Sequence, residues 1–286
     1  MNDKRQSRFD SILLAVDGSL STKSTAYAAV QIASAMHCSI HAEYVVDVTQ
    51  VFDTYGDSNR ELSELGGVLS NEQQVTLFEE QGTFALAEID YLCQEMNIPL
   101  TTEMVFGGIP DMILESSKQY KLLALGRRGN RHERASHYLG SNFRQIAHHI
   151  HIPLLIGGSA NEKRKIRHVL LAYDGSRFSR TALSWIESLQ WIFEKITVLS
   201  VENGHEKDHT WLEERQKEIM DSNLSNYEFV REEGEPGLVI ASTALSRKAD
   251  LILTGSYQHG PLLEWAGHSV LDAVLREVNL PILATK

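Results

Sequence analysis

The chain repeats itself, and the repeat constrains the fold more than any other feature. "ILLAVDGSLSTKSTAYAAVQIA" begins at Ile12 and "VLLAYDGSRFSRTALSWIESL" at Val169. Each runs a short apolar segment into Asp-Gly-Ser and then into a helical pattern. Further landmarks recur in the same order: "VFGGIPDMILESS" and "REEGEPGLVIAST", "KLLALGRRG" and "DLILTGSYQ", "HIPLLIGG" and "NLPILATK". Asp17 and Asp174 lie 157 positions apart, whereas Gly108 and Gly234 lie 126 apart. The first copy therefore carries about 30 extra residues, placed at 47–74, where the sequence turns polar and Gly-containing; a loop of that length is a lid, a binding loop or disorder. The copies span 1–158 and 166–286, joined by the small and charged stretch "GGSANEKRKIR" at 157–167.

Within each copy short apolar runs alternate with amphipathic segments. The spacing predicts strands near 11–16, 40–46, 101–106, 121–125 and 153–156, and helices near 21–36, 73–96, 109–119 and 141–150. In the helix at 73–96, Leu77, Phe84, Ile89 and Leu92 are expected on one buried face. Continuously apolar strands such as "ILLAV" and "KLLAL" are those of a sheet covered on both faces. Alternation with helices implies an α/β fold with a parallel sheet and right-handed crossovers.

The formal net charge of −11 and the pI near 5.5 argue against binding nucleic acid or an anionic membrane surface. No window reaches the apolar length of a membrane span, and the N-terminus lacks the apolar core of a signal peptide. Cys38 and Cys93 have no metal-ligand spacing and suit free thiols in a reducing cytoplasm.

Against that acidic background, "GRRGNRHERASHYLGSN" at 126–142 stands out. Five of the twelve Lys and Arg residues in 1–158 are Arg127, Arg128, Arg131, Arg134 and Arg144. Glycines at 126, 129 and 140 let backbone N–H groups approach an anion, and Ser141 opens a helix whose dipole favours negative charge. Together these features favour a polyphosphate over a solvated basic loop. Asp17, at the end of the first strand, could meet a ribose or a metal near phosphates, or simply cap a helix. Val45, at the end of the second strand, could meet a purine through its backbone, or be plain core. The second copy departs from the pattern: Gln258 replaces Gly129, His268 replaces Ser141, and no Lys or Arg occurs from Gly255 to Val270. The histidines of "HHIH" at 148–151 suit a solvated helix end better than a metal site.

These landmarks together resemble the universal stress protein family in its tandem two-domain form, over nearly the whole chain. The family pattern is Gly, two residues, Gly, about nine residues, then Gly-Ser or Gly-Thr. Here it reads Gly126-Arg-Arg-Gly129, ten residues, Gly140-Ser141. The resemblance implies two tandem Rossmann-like domains of the adenine nucleotide alpha hydrolase type, each with a five-stranded parallel sheet flanked by helices. It implies ATP or AMP, with or without Mg, as ligand, and a regulatory role in the stress response. It implies nucleotide-binding roles for Asp17, Val45, Gly108, Gly126, Arg127, Gly129, Gly140, Ser141 and Asn142, with Asp17 beside any Mg that accompanies ATP. Catalysis is not expected beyond slow ATP hydrolysis. Family members pair through the last strand, so "PLLIGG" and "PILATK" are expected to bring the two halves together within the chain, with homodimerisation open. A nucleotide-free scaffold and a weak metal-dependent ATPase are the alternatives.

Overall fold

The computed structural model describes residues 11–48, 71–128, 139–158, 165–202, 210–255 and 270–285. In the first half these form β1 (Ser11–Val16), α1 (Leu20–Met36), β2 (Ser39–Asp47), α2 (Asn71–Glu95), β3 (Leu100–Gly107), α3 (Ile109–Ser117), β4 (Leu122–Leu125), α4 (Ser141–His149) and β5 (Leu154–Ile156). The second half repeats the order with β6 (His168–Ala172), α5 (Arg177–Leu189), β7 (Lys195–Glu202), α6 (Thr210–Asp221), β8 (Tyr227–Glu233), α7 (Pro236–Ser246), β9 (Leu251–Thr254), α8 (Val270–Glu277) and β10 (Ile282–Ala284). Residues 49–70, most of the stretch expected as an insertion, lie outside the described residues, as do Gly129 and the second copy's 256–269.

All ten strands belong to one sheet, ordered β3-β2-β1-β4-β5-β10-β9-β6-β7-β8. Within each half every pairing is parallel. The halves meet where β5 and β10 pair antiparallel, with Leu155 opposite Leu283. Neither inner strand is left as an open edge, which removes a template for unwanted pairing. The antiparallel join points the carboxyl ends of the two half-sheets in opposite directions.

Two continuous cores cover the sheet. One face carries α1, α2, α5 and α6, and the other α3, α4, α7 and α8. The central strands are buried throughout: every residue of β1, β4 and β5 is inaccessible or nearly so. This is why they read as unbroken apolar runs. The expected strands and helices match those observed to within two residues at most ends.

The buried face of α2 corrects one expectation. Leu77 and Phe84 are exposed, and the helix packs instead through Phe78, Ala85, Ile89 and Cys93. Gly82 lies on the same stripe, where a Cβ would come within 2.6 Å of the Tyr44 ring. The helix therefore rotates so that its smallest residue meets the bulkiest one on β2.

Candidate functional site

Each half-sheet reverses its winding between its first and fourth strands, β1 and β4 in the first half, and a ligand crevice is expected outside their carboxyl ends. The structure brings most of the expected residues of the first half to that place. Asp17 and Gly18 follow β1 directly, with Gly18 at φ +73°, a conformation that favours glycine. The Asp17 carboxylate accepts from the Ser19 N–H at 2.9 Å and from the Thr22 hydroxyl. Ser19 caps α1, its Oγ accepting from the Thr22 N–H at 3.1 Å. The N-terminus of α1 is thus satisfied by its own side chains.

The start of α4 is built differently. Its N-cap is Gly140, which has no side chain to accept from the first-turn N–H groups. Ser141 is exposed and Asn142 half-exposed, so the positive end of the helix dipole is uncovered by side-chain capping. The Gly140 N–H donates to the Arg127 carbonyl at 3.1 Å, and the Ser19 hydroxyl donates to the Arg128 carbonyl at 3.2 Å. These two bonds tie the beginning of the basic loop to both helix starts. Gly126 makes the approach possible: a Cβ there would sit 3.0 Å from Ser21 Oγ and 3.3 Å from the Thr22 nitrogen. Val45, on the opposite sheet face from Tyr44, is buried near the end of β2 and belongs to the core beside α3. Gly108 is the N-cap of α3 and also leaves that helix start without a side-chain cap.

Arg127 goes elsewhere. Its side chain is 1% exposed and turns away from the crevice into the junction of the two halves. Nε donates to the Gly157 carbonyl at 2.7 Å, one terminal nitrogen to Leu275 at 3.2 Å and Val278 at 2.7 Å, and the other to Leu280 at 2.7 Å. Three of these carbonyls lie at and just beyond the C-terminal end of α8, where a cation is favoured by the dipole. Burial, and behind it the charge of Arg128, pulls the guanidinium down to about 9, which leaves it charged at neutral pH. The backbone N–H of Arg127 is also engaged, by Ser21 Oγ at 2.9 Å. The expectation that this side chain faces a nucleotide is therefore corrected: it joins the domains. Gly157 and Gly158 permit the join, because a Cβ on the first would collide with Thr25 Oγ1 and one on the second with the Asn279 carbonyl. Two signals in the sequence pointed this way. The position matching Arg127 in the second copy is Ser256, so the arginine is not part of the repeat, and two glycines follow β5.

The second copy repeats the strand end with different contents. Asp174 accepts from the Ser176 N–H at 3.0 Å, and Gly175 has φ +71°. Burial works against the Asp174 charge, but bonds from Ser176 and Ser179, with Arg215 behind them, hold its carboxyl below the usual range. Arg215 reaches from α6, donating to Ser200 Oγ at 3.2 Å and lying 3.3 Å from where a Gly175 Cβ would be. Gly255 repeats the close approach of Gly126: a Cβ there would sit 2.7 Å from the Ser179 nitrogen. Elsewhere, His148 and His149 are exposed at the end of α4, and burial, then Asp90, pushes the Cys93 thiol up to about 11, which makes it a poor nucleophile. Among the described residues no helix is long and apolar enough to cross a membrane.

Each half is thus a doubly wound α/β domain of Rossmann-like type with an uncovered helix start at its switch point in the first copy. The sequence pattern of the universal stress protein family matches residues 8–156 and again 165–286, and the chain belongs to that family, with two copies in tandem. A universal stress protein from Archaeoglobus fulgidus DSM 4304 superposes with a TM-score of 0.75 at 18% identity, covering 96% of each chain. A functionally unknown protein from Pseudomonas aeruginosa PAO1 gives 0.64 at 15% identity, covering 97% of this chain and 92% of that one. A universal stress protein solved in complex with cAMP covers 43% of this chain and 98% of its own, at 19% identity and a TM-score of 0.37. No curated protein matches the chain.

Proposed function

We propose that the chain is a cytoplasmic regulatory module of the stress response that binds an adenine nucleotide, ATP or AMP, in its first domain only. The observation that carries this reading is the start of α4, a glycine-capped helix whose Gly140 N–H bonds the Arg127 carbonyl, while the Ser19 hydroxyl, two residues from Asp17, bonds the next carbonyl of the same loop. A helix N-terminus without a side-chain cap, beside glycines that let backbone approach, accommodates phosphate oxygens. In this reading Gly126, Gly129, Gly140, Ser141 and Asn142 hold the phosphates, Val45 and Gly108 flank the base and ribose, and Asp17 lies beside any accompanying Mg. Asp17 is already engaged by Ser19 and Thr22, so it positions the loop rather than acting as a base. The Arg127 side chain has no part in the cradle and instead ties the first residues of the loop to the second domain. A nucleotide would thereby bias the junction of the halves, which is the property a regulatory module needs.

Calorimetric titration of the full chain with ATP and with AMP tests this. The expected result is one site per chain, weakened about tenfold by Ser141→Ala, in keeping with loss of one charge-assisted hydrogen bond. Gly129→Arg is expected to abolish binding. Two equivalent sites, or no heat at millimolar nucleotide, would overturn the reading. Mass spectrometry of the protein as purified identifies which nucleotide it retains.

A further inference from the structure

On the α3 face of the sheet, away from the crevice, His41 and Glu43 of β2 lie beside Glu103 of β3. Each brings one ligand atom within 4.8 Å of the other two. We propose that these three side chains form a binding site for a divalent transition-metal cation of the zinc type, independent of any nucleotide.

The repeat supplies the first argument. The strand registers place Glu43 opposite Glu103 in the first copy and Leu199 opposite Val230 in the second. The fold therefore fills this position with apolar side chains when nothing else is asked of it. One step earlier along the strands, His41 faces Thr101, and Thr197 faces Glu228. The second copy surrounds its single carboxylate with protein cations: Glu228 meets Lys195 at 2.9 Å and also meets Arg247. The first copy sets two carboxylates against one imidazole.

Burial supplies the second. Glu43 is 1% exposed, and its Oε1 has no hydrogen-bond partner. A buried carboxylate with an unmet oxygen is destabilising unless a proton or a cation answers it. The Ser116 hydroxyl of α3 bonds the carboxyl, while Glu103 adds like charge beside it.

The chemistry of the donors supplies the third. His41 Nδ1 lies 2.8 Å from Thr101 Oγ1 and its ring stacks on Tyr120 at 5.5 Å, so the imidazole is held in place. In the tautomer whose Nδ1–H donates to the threonine hydroxyl, Nε2 presents a lone pair, the arrangement that metal-binding histidines use. Nε2 lies 3.4 Å from Glu103 Oε2. That matches the separation of about 3.3 Å between two ligands of a tetrahedral zinc with bonds of about 2.0–2.1 Å. Glu103 is half-exposed and can swing to complete the set, leaving a fourth position for water. An imidazole with two carboxylates suits zinc over magnesium or calcium, which prefer oxygen alone. Bound there, a cation would fasten the outermost strand of the first half to its neighbour.

The test uses the full chain stripped with EDTA and titrated with zinc chloride against a competing chelator. One zinc per chain is expected. Glu103→Gln, a surface change, should weaken it about tenfold or more. Glu43→Leu, which installs the second copy's residue, should abolish it while folding normally in EDTA. X-ray absorption of the loaded protein should show imidazole nitrogen together with carboxylate oxygen. Zinc affinity unchanged by Glu103→Gln, zinc lost on replacing His148 and His149 instead, or no binding at about 100 μM zinc would each overturn the proposal.

Discussion

The two halves share a fold and differ in how they settle charge. In the second, Glu228 of the outer strand lies between the protein cations Lys195 and Arg247, and Arg215 stands by Asp174 at the strand end. In the first, the outer two strands bring Glu43 and Glu103 together with one histidine, and the α4 start has a glycine cap. Within one architecture, then, the second copy answers Glu228 and Asp174 with its own side chains, whereas Glu43 Oε1 of the first has no hydrogen-bond partner. Sites are grafted onto a fold and are not dictated by it.

The largest effect that would sharpen this contrast is at the junction. Arg127→Leu leaves four buried carbonyls without a donor, and is expected to lower stability by about 3–5 kcal/mol in urea denaturation. Arg128→Leu, a neighbour outside that set of bonds, should change it far less.

Next come the outer two strands of the first half. In EDTA, Glu43→Leu should raise stability by about 1–3 kcal/mol, because it removes an unsatisfied buried oxygen and restores the packing of Leu199 in the other half. A loss of stability would mean that Glu43 is satisfied in the metal-free protein, and would break the comparison.

The smallest effect is titration of Glu228. Burial opposes its charge, but bonds from Lys195, Thr197 and Arg247 outweigh that and hold the carboxyl at about 2. Its folded value is depressed, so its contribution is present above the ordinary glutamate range and is lost as pH falls from about 4.5 towards 2. The group is partly exposed, and the contribution is expected to stay below about 1 kcal/mol. Denaturation of wild type and Glu228→Gln as a function of pH should show the difference shrinking across that window.

Most of the fold was legible in the sequence because the repeat states it twice and because buried parallel strands are apolar without interruption. Side-chain destinations were less so. Phe84 looked like core by type, yet the interface of α2 follows Gly82 and Ala85, small residues whose role depends on Tyr44 across the gap. Arg127 sat in a basic loop and was read with it, although three of the four carbonyls its side chain answers to lie some 150 positions further on. The Glu43 cluster was hidden because its members belong to two strands separated by α2, and strand register cannot be read from either alone. Asp17, Gly126 and Gly140 were placed where expected because each is bound to a strand end or helix start that the pattern itself defines.

The antiparallel pairing of β5 with β10 has a further consequence. When identical subunits associate across such a seam, any substitution appears on both sides of it at once. Here each side has its own codons. Ser256 need not mirror Arg127, nor Leu199 mirror Glu43, so a single guanidinium can cross the seam without meeting its own copy coming the other way. Divergence of the halves is what their covalent union permits.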